Sequence, residues 1–519
     1  MIGTQEGGPV PKRCRLLLRV GLAAGLSGCA VGPEYQPPEV SIPKGWATAS
    51  AHKDAGTTSS STSSAELVRW WRTLNDPQLN TLVERAVATN LDIEAALTRV
   101  QRARMDEVVV LGAALPQVDV SGTDAAGSGL DLTKGRVGNA LRAGSSTAGL
   151  DTLSRIVGFE GSWQLDVFGK YRRLIEAARD DAETLAEMRR AVLITVIADV
   201  VRTYVEIRGL QSRLEAARTD VATEHKTVDL VQDRYARGLT SEVDVTLAKR
   251  QLARMQARIP ELTAAIYAAQ SRMAVLLDSY SVVPEVQRSG ELPRLPDRLR
   301  PGLPIELLRR RPDIRQAERE LAAATARIGA AIADLFPAVG VTAGFGTQGG
   351  PRSQDGAAPI NGPIWSIGPT GYWPFLDFGA LDALIYVQEF RTRELLLKYK
   401  KTILAAVAEV NTAIKGYRAA RQRLQDLQTA LAESRRSVEL ATERYERGLT
   451  DFLNVLDAQR QQYEIEEEVI VAQQAATIEF VIFYKSLGGG WERYEGLPPI
   501  PQPEPAVLAT FRRLTNQWR

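Results

Sequence analysis

The chain is short of the residues on which most enzyme sites depend. Its 519 residues include two cysteines and two histidines. His52 falls in a Ser/Thr-rich stretch and His225 in a helical pattern. Neither has a second histidine or a cysteine at ligand spacing, so no metal centre and no nucleophile triad is expected. An excess of charge of one sign is missing too. Lys+Arg 64 against Asp+Glu 62 leaves +2, and nucleic acid is not an expected partner. The apolar stretch Leu16–Leu26 has about half of the ~20 residues a membrane-spanning helix needs. Proline is absent from Tyr171 to Ile259 and from Phe375 to Leu497, in a chain that has 26. Gaps of that length predict long uninterrupted helices.

The beginning of the chain sets the compartment. Lys12, Arg13 and Arg15 precede the apolar Leu16–Leu26, and Leu26-Ser27-Gly28-Cys29 follows. A basic region, a short apolar core and small residues before a cleavage point describe a secretory signal. The ending resembles a bacterial lipobox, which makes residues 1–28 a signal peptide and Cys29 the lipidated first residue of the mature chain. Cleavage removes Cys14 and lipid occupies Cys29, leaving no thiol and no disulfide framework. Covalent lipid apart, no cofactor is expected.

Two segments 210 positions apart carry nearly the same text. Arg234-Tyr235-Ala236-Arg237-Gly238-Leu239-Thr240 returns as Arg444-Tyr445-Glu446-Arg447-Gly448-Leu449-Thr450. The same shift aligns Val245 with Val455, Arg208 with Arg418, Trp163 with Trp373 and Phe168-Gly169 with Phe378-Gly379. A repeat of this length means one architectural unit built twice and interleaved into one body. The first copy spans 79–285 and the second 300–490. A lipid-anchored segment with a Ser/Thr-rich linker, 29–78, precedes them, and a tail, 491–519, follows.

Within the first copy, Leu193, Val196, Ile197, Val200, Val201, Tyr204 and Ile207 step by three and four along one helical stripe. In the second, Ile403, Val407, Val410, Ile414 and Tyr417 form a coiled-coil-like seam. A helix from Lys170 to Arg237 reaches roughly 100 Å at 1.5 Å per residue, far beyond a bilayer's thickness. Gly238 and Gly448 suit the left-handed position that stops a helix. Ser241 with Asp244 on one copy, and Asp451 on the other, are expected to cap the helix that follows.

Each copy also contains period-two text. Val157, Phe159, Trp163, Leu165 and Val167 alternate with Glu160, Ser162, Gln164 and Asp166. Trp365, Ile367, Gly371, Trp373 and Phe375 alternate with Ser366, Gly368, Thr370 and Tyr372. Shorter alternations at Pro116–Gly122 and Pro337–Gly346 complete β-hairpins over 116–168 and 337–378. One apolar and one polar face, at about the length of a tilted membrane strand, predict strands between lipid and water. Four strands cannot close a barrel, and open edges cannot stand in lipid, so several chains must pool their strands. Gly344-Phe345-Gly346-Thr347-Gln348-Gly349 spells a dinucleotide fingerprint. Pro351, Gly362 and Pro363 follow where a helix must begin, so it reads as an extracellular loop.

With these features in place, the chain resembles the TolC-like outer-membrane efflux proteins, in their lipoprotein (NodT-type) branch. The resemblance is carried by Leu26-Ser27-Gly28-Cys29 through Tyr35, Trp70-Trp71 with Asp76-Pro77, and Asn90-Leu91-Asp92-Ile93. Arg311-Pro312-Asp313-Ile314, both Arg-Tyr-x-x-Gly tips and Asp457-Ala458-Gln459 extend it across the mature chain. It implies a homotrimer with a twelve-stranded β-barrel in the outer membrane and a twelve-helix barrel in the periplasm. It also implies a periplasmic adaptor and an inner-membrane resistance-nodulation-division transporter as partners, outer-membrane lipid around the strands, and export of small toxic molecules or drugs. The exit duct of a type I protein secretion system shares this fold and stays an alternative. By the same resemblance Leu453 and Asp457 line a periplasmic constriction. The tips Gly238-Leu239-Thr240 and Gly448-Leu449-Thr450 then meet the adaptor. No enzyme activity is expected.

Overall fold

The structure, a computed structural model, describes residues 30–40, 43, 45–46, 67–125, 154–296, 305, 310–349 and 362–496. The expected signal peptide 1–28, Cys29, most of the Ser/Thr-rich linker, the hairpin loops and most of the tail 491–519 lie outside the described residues. In the first repeat the order is α1 (Pro77–Thr89), α2 (Leu91–Ala113), β1 (Gln117–Ala125), β2 (Ser154–Leu165), α3 (Lys170–Ala236), α4 (Glu242–Gln256) and α5 (Arg258–Leu276). The second has α6 (Pro312–Ala333), β3 (Ala338–Gly349), β4 (Gly362–Tyr372), α7 (Ala380–Glu446) and α8 (Phe452–Ser486). The proline-free text folds as predicted, and α3 and α7 are each 67 residues long. Pro260 lies just beyond the α4–α5 junction and withholds an N–H there, whereas its counterpart position Ile470 lies inside the unbroken α8. Among the described residues, no helix is long and apolar enough to cross a membrane.

The repeats interleave, each contributing to two compact units. One unit draws on 1–38, 101–184 and 317–399, the other on 39–100, 185–316 and 400–519.

The first unit contains the four-stranded antiparallel sheet, in the order β1-β2-β3-β4. β2 of one repeat pairs with β3 of the other over Arg155↔Gly349 to Leu165↔Val339. This register corrects one expectation: Gly344–Gly349 is the end of β3, not a loop. Cross-strand hydrogen bonding overrides the weak strand preference of its glycines. The strands also stop earlier than the alternation does. Val167 N–H donates to Leu165 O at 2.9 Å and Phe375 N–H to Trp373 O at 2.9 Å. Such tight turns remove Val167, Trp373 and Phe375 from the ladder. α6 buries Leu321 and Ile328 together with Ala322, Ala323, Ala324, Ala326 and Ala330, small side chains that let neighbouring backbones come close. The strap 30–38 uses that closeness. A Cβ on Gly32 would lie 2.4 Å from Gly329 Cα. Arg173, itself buried, donates to the carbonyls of Val31 and Gly32 at 3.2 and 3.3 Å.

The second unit is built around Trp70 and Trp71, which are buried. Trp70 stacks on Tyr484 at 5.6 Å and meets Phe480 edge-on at 6.2 Å. The predicted stripe Leu193–Ile207 is buried throughout, as are Ile403, Val410, Ile414 and Tyr417 of the second seam. Asp76 caps α1 by accepting from Gln78 N and Leu79 N at 2.9 and 3.1 Å, so that helix starts two residues ahead of the expected repeat boundary. Tyr204 OH donates to the other oxygen of Asp76 at 2.6 Å, tying α3 to the same cap.

Both hairpin tips end their long helices in one way. Gly238 and Gly448 have φ of +74° and +72°. Leu239 N–H donates to Arg234 O at 2.9 Å and Leu449 N–H to Arg444 O at 2.8 Å, closing Schellman turns. The expected caps differ from this. Ser241 and Asp451 occupy the N-cap positions, yet neither side chain makes a cap hydrogen bond. The tip threonines take part instead: Thr240 donates to Asp244, and Asn454 donates to Thr450 Oγ1 at 2.8 Å. Where the second copy has Gly488 at φ +72°, the first has Asp278 at +50°, a residue type that tolerates the left-handed region.

Nothing lies within 4 Å of a Cβ built on Gly448, whereas one on Gly488 falls 2.8 Å from Arg311 Cγ. Gly448→Ala is therefore expected to cost about 1–2 kcal/mol of backbone strain alone. Gly488→Ala should cost more. Thermal unfolding of the two variants side by side checks the order.

Candidate functional site

The sheet has two chemically different faces. Pairing Val120↔Phe159, Phe159↔Phe345 and Phe345↔Trp365 lays one apolar row across all four strands. Val118, Gly161, Ala343 and Ile367 form the next row. These side chains point away from the protein: Phe345 is 59% exposed, Ile367 70% and Trp365 72%. The opposite face carries Gln117, Ser121, Ser162, Gln164, Thr342, Ser366 and Thr370, with Gly158, Gly344 and Gly346 among them. There Asp119 stands directly across from Glu160. Like charges in that relation repel unless water solvates both, which marks this face as wet. The tryptophans matched by the repeat fasten the sheet's ends. Trp163 Nε1 donates to Ala114 O at 3.1 Å and Trp373 Nε1 to Leu335 O at 3.0 Å, at the ends of the runs that follow α2 and α6. An indole with an apolar body and a bonded N–H suits a membrane–water boundary.

In the second unit the two tips pack on a shared core. Val228 and Val231 of α3, Val245 and Ala248 of α4, Tyr445 of α7 and Phe452, Val455 and Leu456 of α8 form one cluster. Arg234 lies over the Tyr445 ring at 4.7 Å and donates to Glu446 O at 3.2 Å, joining the two tips. The repeat-matched tyrosines differ: Tyr445 is buried and Tyr235 exposed. Leu239 and Leu449 stand out into solvent beside Gly238, Thr240, Gly448 and Thr450. Leu453 and Asp457 follow on one face of α8 at i and i+4. Leu453 is 62% exposed. Asp457 accepts from Arg460 Nη2 at 2.8 Å and Gln461 Nε2 at 2.9 Å, so its carboxylate is held along its own helix. The first copy has Leu247 at the position of Asp457.

Among the described residues, no group of three or more His, Cys, Asp or Glu side chains is placed to hold a metal. His225 meets Gln256 at 3.2 Å. The sequence reading missed three features: the docked strap at Gly32, the buried Arg208, and Glu224 in the tip core. Arg208 donates to Gln211, Gln78 and the carbonyls of Glu285 and Arg288. Its alignment with Arg418 was the only signal for it. Nothing in the local text marks Glu224 as buried.

Comparison with known proteins places this geometry. A family model described as outer membrane efflux protein matches residues 82–278 and 303–489. Nodulation protein T of Rhizobium leguminosarum bv. trifolii is 29% identical over 473 residues, 90% of this chain and 95% of that protein. The toluene efflux pump outer membrane protein TtgF of Pseudomonas putida is 30% identical over 493 residues, 93% of this chain and 99% of its own length. The solved outer-membrane channel OprN superposes with a TM-score of 0.77 at 31% identity, covering 89% of this chain and 100% of that one. The fold class is that of trimeric outer-membrane channels, in which three copies of this four-stranded sheet supply twelve strands. Sequence, sheet register and repeat agree, and the chain belongs to the outer membrane efflux protein family.

Proposed function

We propose that the protein is the outer-membrane duct of a tripartite resistance-nodulation-division efflux system, exporting small toxic compounds across the periplasm and outer membrane. The observation that carries this reading is the exposed row Val120–Phe159–Phe345–Trp365 opposite a polar, glycine-rich face. Such a sheet needs lipid on one side and water on the other. The relatives' names range over toluene, cations and pyoverdine. That variety fits a duct whose substrate is selected by its pump. A periplasmic adaptor and an inner-membrane transporter complete the system, with Gly238-Leu239-Thr240 and Gly448-Leu449-Thr450 as the surface offered to the adaptor. The role is conductive, without catalysis.

Leu453 and Asp457 form the narrowest ring in this reading. Three copies of Asp457 around an axis would attract cations, and exposed Leu453 would be covered by its symmetry mates. Cys29 carries lipid. Supporting that, the strap fixes the residue after it at the strand–helix junction. A Cβ on Gly169 would lie 2.6 Å from Ala30 Cα, and Val31 N–H donates to Phe168 O at 3.2 Å. Acyl chains on the preceding residue then start where the strands end.

Asp457→Ala is expected to raise single-channel conductance in planar bilayers; wild-type conductance in the variant removes Asp457 from the constriction. Phe345→Arg, on the apolar row, should cost about 2–4 kcal/mol near the bilayer midplane and lower the yield of inserted trimer. Thr342→Arg, on the polar face, should insert normally. Metabolic labelling with radioactive palmitate should mark the wild-type protein and not Cys29→Ser.

A further inference from the structure

The tip core contains one residue out of keeping with its surroundings. Glu224, Val228 and Val231 follow one another at four- and three-residue steps on the buried face of α3. Glu224 is 0% exposed, and both its carboxylate oxygens are buried without a hydrogen-bond partner. Across from this stripe run Phe452, Val455, Gln459 and Tyr463 of α8, all buried. Gln459, two residues from Asp457, donates to Thr227 of α3 at 3.2 Å, while its own Oε1 is buried and unpartnered. The layer therefore holds three orphan acceptors: two on Glu224 and one on Gln459. An acceptor-only carboxylate cannot satisfy them, but a carboxylic acid brings a donor.

The charged groups nearby do not neutralise Glu224. On α3, Asp220 is a second half-buried acid, while His225 and Lys226 point to solvent. From α8, Tyr463, Glu466 and Glu467 face the same region. The arginines there are already engaged: Arg213 and Arg258 hold Glu467, and Arg435 holds Glu466 at 3.0 Å. Burial alone raises the Glu224 carboxyl from 4.5 to about 7, and burial, followed by the Glu466 charge, raises Asp220 from 3.8 to about 7.

We propose that Glu224 is a protonation-controlled latch on the helix carrying Leu453 and Asp457. Neutral, it packs α8 against α3; ionised, it puts an unpaired charge into that seam and loosens α8. The sign follows from linkage. A raised acid stabilises the packed state fully below its free value of 4.5 and loses that stabilisation as pH climbs through about 7. Between those two values the opening equilibrium grows up to about tenfold per pH unit, and above about 7, where both states are ionised, it levels off. The effect on conductance rests on the constriction reading above. The effect on helix packing does not.

Amide hydrogen exchange of residues 452–466 in the intact trimer separates the two. Between about pH 5 and about pH 7.5, wild-type exchange divided by that of Glu224→Gln at the same pH should rise at least about tenfold and then level off. Glu224→Leu, which extends the apolar stripe, should match Glu224→Gln. Asp220→Asn alone and Asp457→Ala should both keep the rise. A flat ratio, or a rise abolished by Asp220→Asn alone, overturns the latch. A rise preserved in Asp457→Ala, together with conductance unaltered in that variant, leaves the latch standing and removes the constriction.

Discussion

Everything in this protein follows from a backbone that cannot be left unpaired in hydrocarbon. Four strands in the order β1-β2-β3-β4 have two open edges. Each unmet N–H or C=O in lipid costs several kcal/mol. A single chain with this exposed apolar face is therefore unstable in a bilayer, and closure with other copies is a condition of the fold. The repeat supplies the symmetry for it. Two similar hairpins, joined through β2 and β3, make each protomer a regular segment of a larger ring.

The same economy appears at the tips. Each long helix is stopped by a left-handed glycine and a Schellman turn, which satisfy the last carbonyls without help from another chain. That leaves Leu239, Leu449 and Leu453 free to face outward. The apolar cluster beneath them, with Arg234 spanning from one tip to the Tyr445 ring of the other, keeps two loops 210 positions apart acting as one surface. Glu224 sits at the edge of this cluster, where a buried acid makes packing sensitive to protons.

Much of the fold was legible because it is periodic. Period-two text assigned Phe159 and Trp365 to one face, and proline-free stretches located two helices of equal length. What failed was local and depended on partners. Gly344–Gly349 reads as a loop by itself and becomes strand because β2 stands beside it. Ser241 and Asp451 have the right chemistry for caps, but Thr240 and Thr450 form the side-chain hydrogen bonds at the tips. The family motif residues Trp70, Asp76, Asn90 and Arg311 were recognisable without any hint of their work. That work is structural: Asn90 caps α2 through Asp92 N at 3.0 Å, and Arg311 binds Asp313, Glu409 and the Ser486 carbonyl.

The sequence by itself determined the repeat, the faces of the strands, the ends of the long helices and the need for several copies. Each of these is written in spacing along the chain, which every neighbour reads alike. Only the tertiary structure decided which of two matched tyrosines is buried, where the strap after Cys29 docks, and that Glu224 has no partner. Those outcomes depend on side chains brought together from more than a hundred residues away, and burial of one group is a property of what surrounds it.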